Sequence, residues 1–205
     1  MRCYGQLGLK LVAASVDEVD EAMLGETFTG TLEAARTGAD WAWTCIYRDL
    51  APVVLGYLRA RRAYEPDDLT GEVFLQVVRD LPRFSGGERE FRAWVFVVAH
   101  NRLVDEGRRR TRRPVDLEAD GPSGASEADD VETQVLHAAA ADDVRRIVGR
   151  LAPDQRDVLL LRVLGDLTVE EVAHVIGKSP GAVKALARRG LAAIKPMVDR
   201  EGVPL

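Results

Sequence analysis

The stretch that most constrains this chain runs from Leu167 through Thr168-Val169-Glu170-Glu171-Val172-Ala173 to Gly177-Lys178-Ser179, and then into Pro180-Gly181-Ala182-Val183-Lys184-Ala185-Leu186-Ala187-Arg188-Arg189. Thr168 with Glu171 three residues on has the form of a capping box, and Val169, Val172, Ala173 and Ile176 then recur on one helical face. Gly177 ends that helix, Ser179 caps a second, and Pro180 sits in its first turn, where a missing N–H costs nothing. The expected inward positions of the second helix are Val183, Leu186 and Leu191, leaving Lys184, Arg188 and Arg189 outward. A helix-turn-helix offering a basic helix to a negatively charged groove has this pattern. So does an amphipathic helical hairpin with a solvated basic face.

The net charge of -5 speaks against a nucleic-acid partner only as an average. Basic residues cluster at Arg108, Arg109, Arg110, Arg112 and Arg113 and again from Lys178 to Lys195, whereas residues 114–143 hold acids and no Lys or Arg. Local patches, not the mean, decide binding. Cys3, Cys45, His100, His137 and His174 have neither disulfide-framework nor metal-ligand spacing, so no metal or cofactor is expected. No apolar run reaches the roughly 20 residues of a membrane span, and a cytoplasmic location is the expectation.

The 205 residues divide by composition. Residues 1–26 are a weakly patterned extension, helical or solvated. Residues 27–113 form a first unit, in which Trp41, Cys45, Ile46, Leu50, Val53, Val54 and Tyr57 recur at helical spacing, as do Leu69, Val73, Phe74, Val77, Val78 and Leu81. Pro66, Asp67 and Asp68 open the latter helix and Pro82 closes it. A loop at Phe84-Ser85-Gly86-Gly87-Glu88-Arg89-Glu90 precedes a helix carrying Phe91, Trp94, Val95, Val98 and Leu103 into the arginine cluster. Residues 114–132, acidic and rich in Gly, Ser and Pro, bury too little apolar surface to offset ordering and read as a flexible linker. A second unit at 133–199 and a tail at 200–205 complete an all-α chain of two small helical domains.

Three further segments, taken in order with the helix-turn-helix, carry a family resemblance: Asp67-Asp68-Leu69-Thr70-Gly71-Glu72-Val73-Phe74-Leu75, Phe91-Arg92-Ala93-Trp94-Val95 through Ala99-His100-Asn101-Arg102-Leu103-Val104-Asp105, and Leu151-Ala152-Pro153-Asp154-Gln155-Arg156-Asp157-Val158-Leu159-Leu160-Leu161-Arg162. The chain resembles an extracytoplasmic-function sigma factor of the sigma-70 family over about Phe28 to Val198. The resemblance implies a specificity subunit of RNA polymerase that directs the core enzyme to promoters and assists DNA melting. On it, Asp67, Asp68, Leu69, Thr70, Glu72, Val73, Phe74 and Gln76 face the clamp helices of the largest catalytic subunit, charge fixing orientation and apolar positions supplying burial. The alternative makes the two aspartates helix caps and Val73 and Phe74 core. Gly71 stands where the family commonly carries Gln.

The same resemblance assigns contacts to the minus-10 element to Phe84, Ser85, Gly86, Gly87, Glu88, Arg92, Asn101, Arg102, Arg108, Arg109, Arg110, Arg112 and Arg113. Phe84 and Asn101 serve base capture, which opens a duplex without nucleotide hydrolysis, and the arginines meet phosphates. Trp94 reads as core in preference to a base platform. Lys178, Ser179, Lys184, Ala185, Arg188 and Arg189 are assigned to the minus-35 element, with Arg189 favoured near a base and Arg188 at a phosphate. The linker reads equally as a tether and as a nucleic-acid mimic within the polymerase. Core polymerase, promoter DNA and an anti-sigma factor are the implied partners. No phosphate loop, nucleophile constellation or metal-spaced carboxylate cluster supports an enzyme. The competing readings are a stand-alone helix-turn-helix regulator and a helical adaptor that never touches DNA.

Overall fold

The computed structural model describes residues 27–112 and 146–201, and in them every regular element is helical. The extension 1–26, Arg113, the linker 114–132, the beginning of the second unit and residues 202–205 lie outside the described residues. The first unit comprises α1 (Phe28–Arg36), α2 (Asp40–Ala60), α3 (Pro66–Asp80), a short 3-10 turn (Leu81–Arg83) and α4 (Glu88–Arg112). The second comprises a helical segment at 146–149, α5 (Pro153–Val163), α6 (Val169–Ile176) and α7 (Pro180–Glu201).

Helix α2 is the axis of the first unit. Ala42, Ile46, Leu50, Val54, Tyr57 and Leu58 are buried along it, against Leu69, Val73, Phe74 and Val77 of α3 and Phe91, Val95, Phe96 and Ala99 of α4. Trp41 does not join this stripe: it is 57% exposed, because the helix begins at Asp40 and turns Ala42, not its neighbour, inward. Val78 departs in the same way, at 45% exposed, since Val77 already occupies the inward position one residue earlier. Helix α4 starts at Glu88, earlier than the aromatic run suggests, with the Glu90 carboxylate accepting from the Gly87 amide at 3.0 Å across its first turn.

In the second unit the capping box forms: Thr168 Oγ1 accepts from the Glu171 amide at 3.2 Å, and the Glu171 carboxylate accepts from the Thr168 amide at 2.6 Å. Gly177 ends α6 in the left-handed conformation (φ 66°), a backbone state that favours glycine. Ser179 Oγ accepts from the Ala182 amide at 3.3 Å at the start of α7. The inward stripe of α7 is Val183, Leu186 and Gly190, and Leu191 is 60% exposed. The correction is steric: a Cβ at Gly190 would stand 2.9 Å from Leu159 Cδ1, so α7 crosses α5 at a glycine and leaves the next residue outside.

This crossing predicts opposite outcomes at adjacent residues. Gly190→Val overpacks it and should lower stability by about 1–3 kcal/mol. Leu191→Gln should stay within about 0.5 kcal/mol of the parent. Thermal and urea unfolding of the two variants measure the difference.

Candidate nucleic-acid and polymerase interfaces

Helix α3 presents two unlike faces. Leu69, Thr70, Val73 and Phe74, assigned to docking by resemblance, are buried, with Thr70 Oγ1 donating to the Pro66 carbonyl at 2.7 Å and Phe74 meeting Tyr47 edge-on at 4.8 Å between ring centroids. The structure places these four in the core. Asp67 is exposed and held by Arg59 at 3.1 Å. The outer face carries Asp68 and Glu72, and beside them Leu75 and Val78, large apolar side chains open to solvent. Leu75 and Val78 were absent from the sequence assignment. Their signal was there: counted from Glu72, they fall three and six positions on, opposite the Leu69–Val73–Val77 stripe. Val78 also borders a shallow groove between α2 and α3, lined by Trp43, Thr44, Tyr47, Arg48 and Phe74.

Gln76 ties this helix to α4. Its amide donates to Asp80 at 2.5 Å and its carbonyl accepts from Arg102 Nη2 at 2.8 Å, while Arg102 Nη1 lies 3.6 Å from Glu72. Arg102 therefore packs between helices and joins two residues of the α3 set.

The loop before α4 is anchored by aromatics. Phe84 stacks on Trp94 (5.1 Å, 22° between planes) and meets Phe91 edge-on at 5.3 Å, and its carbonyl accepts from Arg36 at 2.6 Å. Trp94 is thus half-buried support for the loop, in keeping with its core reading. Ser85, Gly86 and Gly87 project as an exposed tip, whereas Glu88 belongs to the first turn of α4. Asn101 is exposed two turns beyond Trp94, where the helical repeat returns to the same face about 10 Å along the axis. Loop tip, Phe84 and Asn101 accordingly share one side of the unit.

The arginines divide into two groups. Arg108, Arg109 and Arg110 are exposed near the end of α4, Arg108 against Asp105 at 3.4 Å and Arg110 over the Tyr64 ring at 4.8 Å. Arg112 ends the helix. Arg92 points elsewhere: Nε donates to the Gly165 carbonyl at 2.6 Å and Nη2 to that of Leu164 at 3.4 Å, both in the second unit. Burial lowers its pKa from the ordinary guanidinium value. Near it, burial raises the Asp49 carboxyl to about 6, with Arg92 acting to lower it and Glu88 to raise it. One Asp49 carboxylate oxygen is buried without a hydrogen-bond partner.

On the helix-turn-helix, Lys184 and Arg188 stand exposed one turn apart on α7, and Ala185 is half-buried between them. Arg189 is exposed, but its Nε donates to the Ala185 carbonyl at 3.3 Å, laying the side chain along its own helix. Lys178 pairs with Asp154 at 3.0 Å, and Ser179 serves as the cap of α7. Among the described residues no group of His, Cys, Asp or Glu is arranged to hold a metal ion, and no helix is long and apolar enough to cross a membrane.

The Asp49 environment gives a pH dependence with a defined sign. The folded-state pKa, about 6, exceeds the ordinary 3.8, so the folded protein holds this proton more tightly. The stability this confers is complete below about 3.8 and is lost as pH rises through about 6. Asp49→Asn cannot titrate, so its melting temperature relative to the parent should climb between pH 4 and pH 7. Parallel melting curves across that range test it, and a constant difference would contradict the assignment.

Comparison with known proteins follows the division into units. Residues 46–113 match the sigma-70 region 2 family and residues 141–194 the sigma-70 region 4 family. The ECF RNA polymerase sigma factor ShbA of Streptomyces griseus is 30% identical over 159 residues, spanning 73% of this chain and 83% of that protein. Two solved structures share the fold: CnrH in complex with the cytosolic domain of CnrY (TM-score 0.60, 20% identity, 85% of this chain and 99% of that one), and the sigma factor RpoE in complex with the anti-sigma factor NepR from Bartonella quintana (TM-score 0.59, 17% identity, 75% and 94%).

Proposed function

As this chain belongs to the ECF RNA polymerase sigma factors of the sigma-70 family, we propose that its first unit docks on core polymerase and captures the opened minus-10 strand while its second reads the minus-35 element in duplex form. The observation that carries this reading is the unlike make-up of three exposed surfaces, of which the α3 face and the α4 arginines border one groove, where Asp68 and Glu72 stand beside Arg109 and Arg110. The outer face of α3 combines Asp68 and Glu72 with the solvent-open Leu75 and Val78. Acidic groups beside exposed apolar side chains suit a basic helical partner, where charge orients and burial supplies affinity. Leu69, Thr70, Val73 and Phe74 act beneath this face as its scaffold.

The side of the first unit bearing Ser85, Gly86, Gly87, Phe84 and Asn101 is the base-capture surface, and Arg108, Arg109 and Arg110 follow it along α4 as phosphate contacts. An Asn amide offers both a donor and an acceptor to an unstacked base, and an aromatic-braced loop supplies a wall. On α7, Lys184 and Arg188 are the major-groove side chains, and the N-terminus of that helix approaches phosphate. Arg189 reaches a base only after leaving the Ala185 carbonyl, so Lys184 becomes the favoured base contact. The chain acts as a specificity subunit whose chemistry is the polymerase's, located where transcription takes place in the cytoplasm. An anti-sigma factor is the natural antagonist, as one accompanies RpoE in its solved complex.

The docking face is tested by competition for core polymerase. Leu75→Ala with Glu72→Lys should raise the concentration needed to displace a reference sigma factor by at least about tenfold, at unchanged helical content. Unaltered displacement by the folded variant would remove α3 from the docking surface. Base capture has its own measurement. Asn101→Ala should depress transcription from a paired promoter more than from one with a pre-opened minus-10 region, and equal losses on the two templates would argue against the pocket.

A further inference from the structure

Helix α1 ends against the loop that precedes α4, and one side chain joins them. Phe28, Leu32 and Ala35 bury α1 on the core of the first unit, with Phe28 5.7 Å from Phe91 between ring centroids. The end of the helix is fixed by α2, where Trp43 Nε1 donates to the Ala35 carbonyl at 3.1 Å. The next residue, Arg36, then reaches across 48 positions of the chain: its Nη2 donates to the Phe84 carbonyl at 2.6 Å, while Nη1 pairs with Glu33. Its Nε is buried with no hydrogen-bond partner. A guanidinium withdrawn in part from water for a neutral carbonyl contributes little net stability. What it fixes is the direction of that carbonyl.

We propose that Arg36 is a positioning residue for base capture: by holding the Phe84 carbonyl it sets the direction in which Ser85, Gly86 and Gly87 leave their stem, and thereby which unstacked base the tip admits. The inference deepens the base-capture role proposed above and rests on it. The Phe84 carbonyl belongs to the planar peptide that leads into Ser85, so its direction is that of the first plane of the tip. The Phe84 ring is already fixed by Trp94 and Phe91, which leaves rotation about its ψ, 136° here, as the turn that Arg36 removes. At the other end the Gly87 carbonyl accepts from the Phe91 amide at 3.0 Å, and the Gly87 amide donates to Glu90 at 3.0 Å. Between these anchors Gly86 adopts φ 153°, and a Cβ there would stand 2.9 Å from Glu90 Cβ and 3.1 Å from Phe84 Cζ. So short a tip, tied at both ends, keeps one shape.

Discrimination between bases needs such fixity. A pocket rejects a wrong base by leaving a donor or acceptor unpaired, and a tip free to shift can restore the lost bond. Arg36 faces the stem, so it acts through the loop and not on the base. The competing role for a guanidinium beside this loop is a direct contact to a DNA phosphate. The two roles differ in their consequences: a phosphate contact carries no sequence information and adds to the salt dependence of binding, whereas positioning acts on the choice of base.

The test is run-off transcription by the full chain with core polymerase, on a paired promoter, on the same promoter with a pre-opened minus-10 region, and on variants of the minus-10 bases. Arg36→Met, which keeps the aliphatic stem and removes the donors, should lower transcription from the paired promoter by about tenfold, stay within about twofold on the pre-opened one, and flatten the preference among minus-10 bases. Arg36→Lys retains a donor for the Phe84 carbonyl and should recover most of both losses. Arg36→Gln, whose amide is too short to reach that carbonyl from α1, should behave as Arg36→Met does. The dependence of promoter binding on salt should be unchanged, and a slope reduced by about 0.9 with base preference intact would assign Arg36 to a phosphate and overturn the proposal. Equal losses on the paired and pre-opened templates would overturn it too, as would loss of helical content in both Arg36→Met and Arg36→Gln, which would make Arg36 a folding residue. Asn101→Ala separates this inference from the reading beneath it. If Asn101→Ala shows the difference between templates and Arg36→Met does not, the positioning role alone falls. If neither shows it, the base-capture surface is wrong and the positioning role falls with it.

Discussion

Tyr57 is the side chain on which both halves of this molecule depend. Its ring belongs to the first unit's core, edge-on to Phe96 at 5.8 Å, and its hydroxyl meets Asp157 of the second unit. An amphipathic residue so placed can fill an apolar interior while its polar tip finds a partner, as a buried hydroxyl must. Burial and hydrogen bonding with Asp157 raise the phenol pKa well above its ordinary value, so the group remains a donor at any physiological pH. From this point the helices radiate: α3 and α4 cover α2 on one side, and α5 brings the second unit against its end.

Around that fixed centre the exposed surfaces become specialised. Because Leu69, Val73 and Val77 point into the core, the outer side of α3 is free to carry Asp68, Glu72, Leu75 and Val78. Because Phe84, Phe91 and Trp94 pack on one another, the glycine-bearing tip is held at the start of α4 on the side that carries Asn101. Because α7 crosses α5 at Gly190, Lys184 and Arg188 face outward. Each surface follows from a packing contact directly beneath it.

Much of this was legible in the residues. The capping box at Thr168 and Glu171, the stop at Gly177 and the Ser179 cap are local signals, since each hydrogen bond joins groups three or four positions apart. The helical architecture of the described residues was equally accessible. Burial polarity was not always so: the α3 pattern contains two apolar sets, one at Leu69, Val73 and Val77 and another at Leu75 and Val78, and only the position of α2 decides which faces inward. Leu191 was misread because a glycine, which carries no hydrophobic signal, proved to be the buried position. The contacts of Arg92 and Asp157 had no local signature at all, as they join residues 73 and 100 positions apart in the chain.

The claim at the centre of this account is that the chain confers promoter choice on core polymerase. Run-off transcription of a genomic fragment library by core enzyme, with and without the full chain, tests it most directly. The account predicts discrete transcripts that appear only with the chain, whose start sites share one pair of sequence elements at minus-10 and minus-35. A chain that binds core polymerase yet yields no such set of transcripts would contradict it.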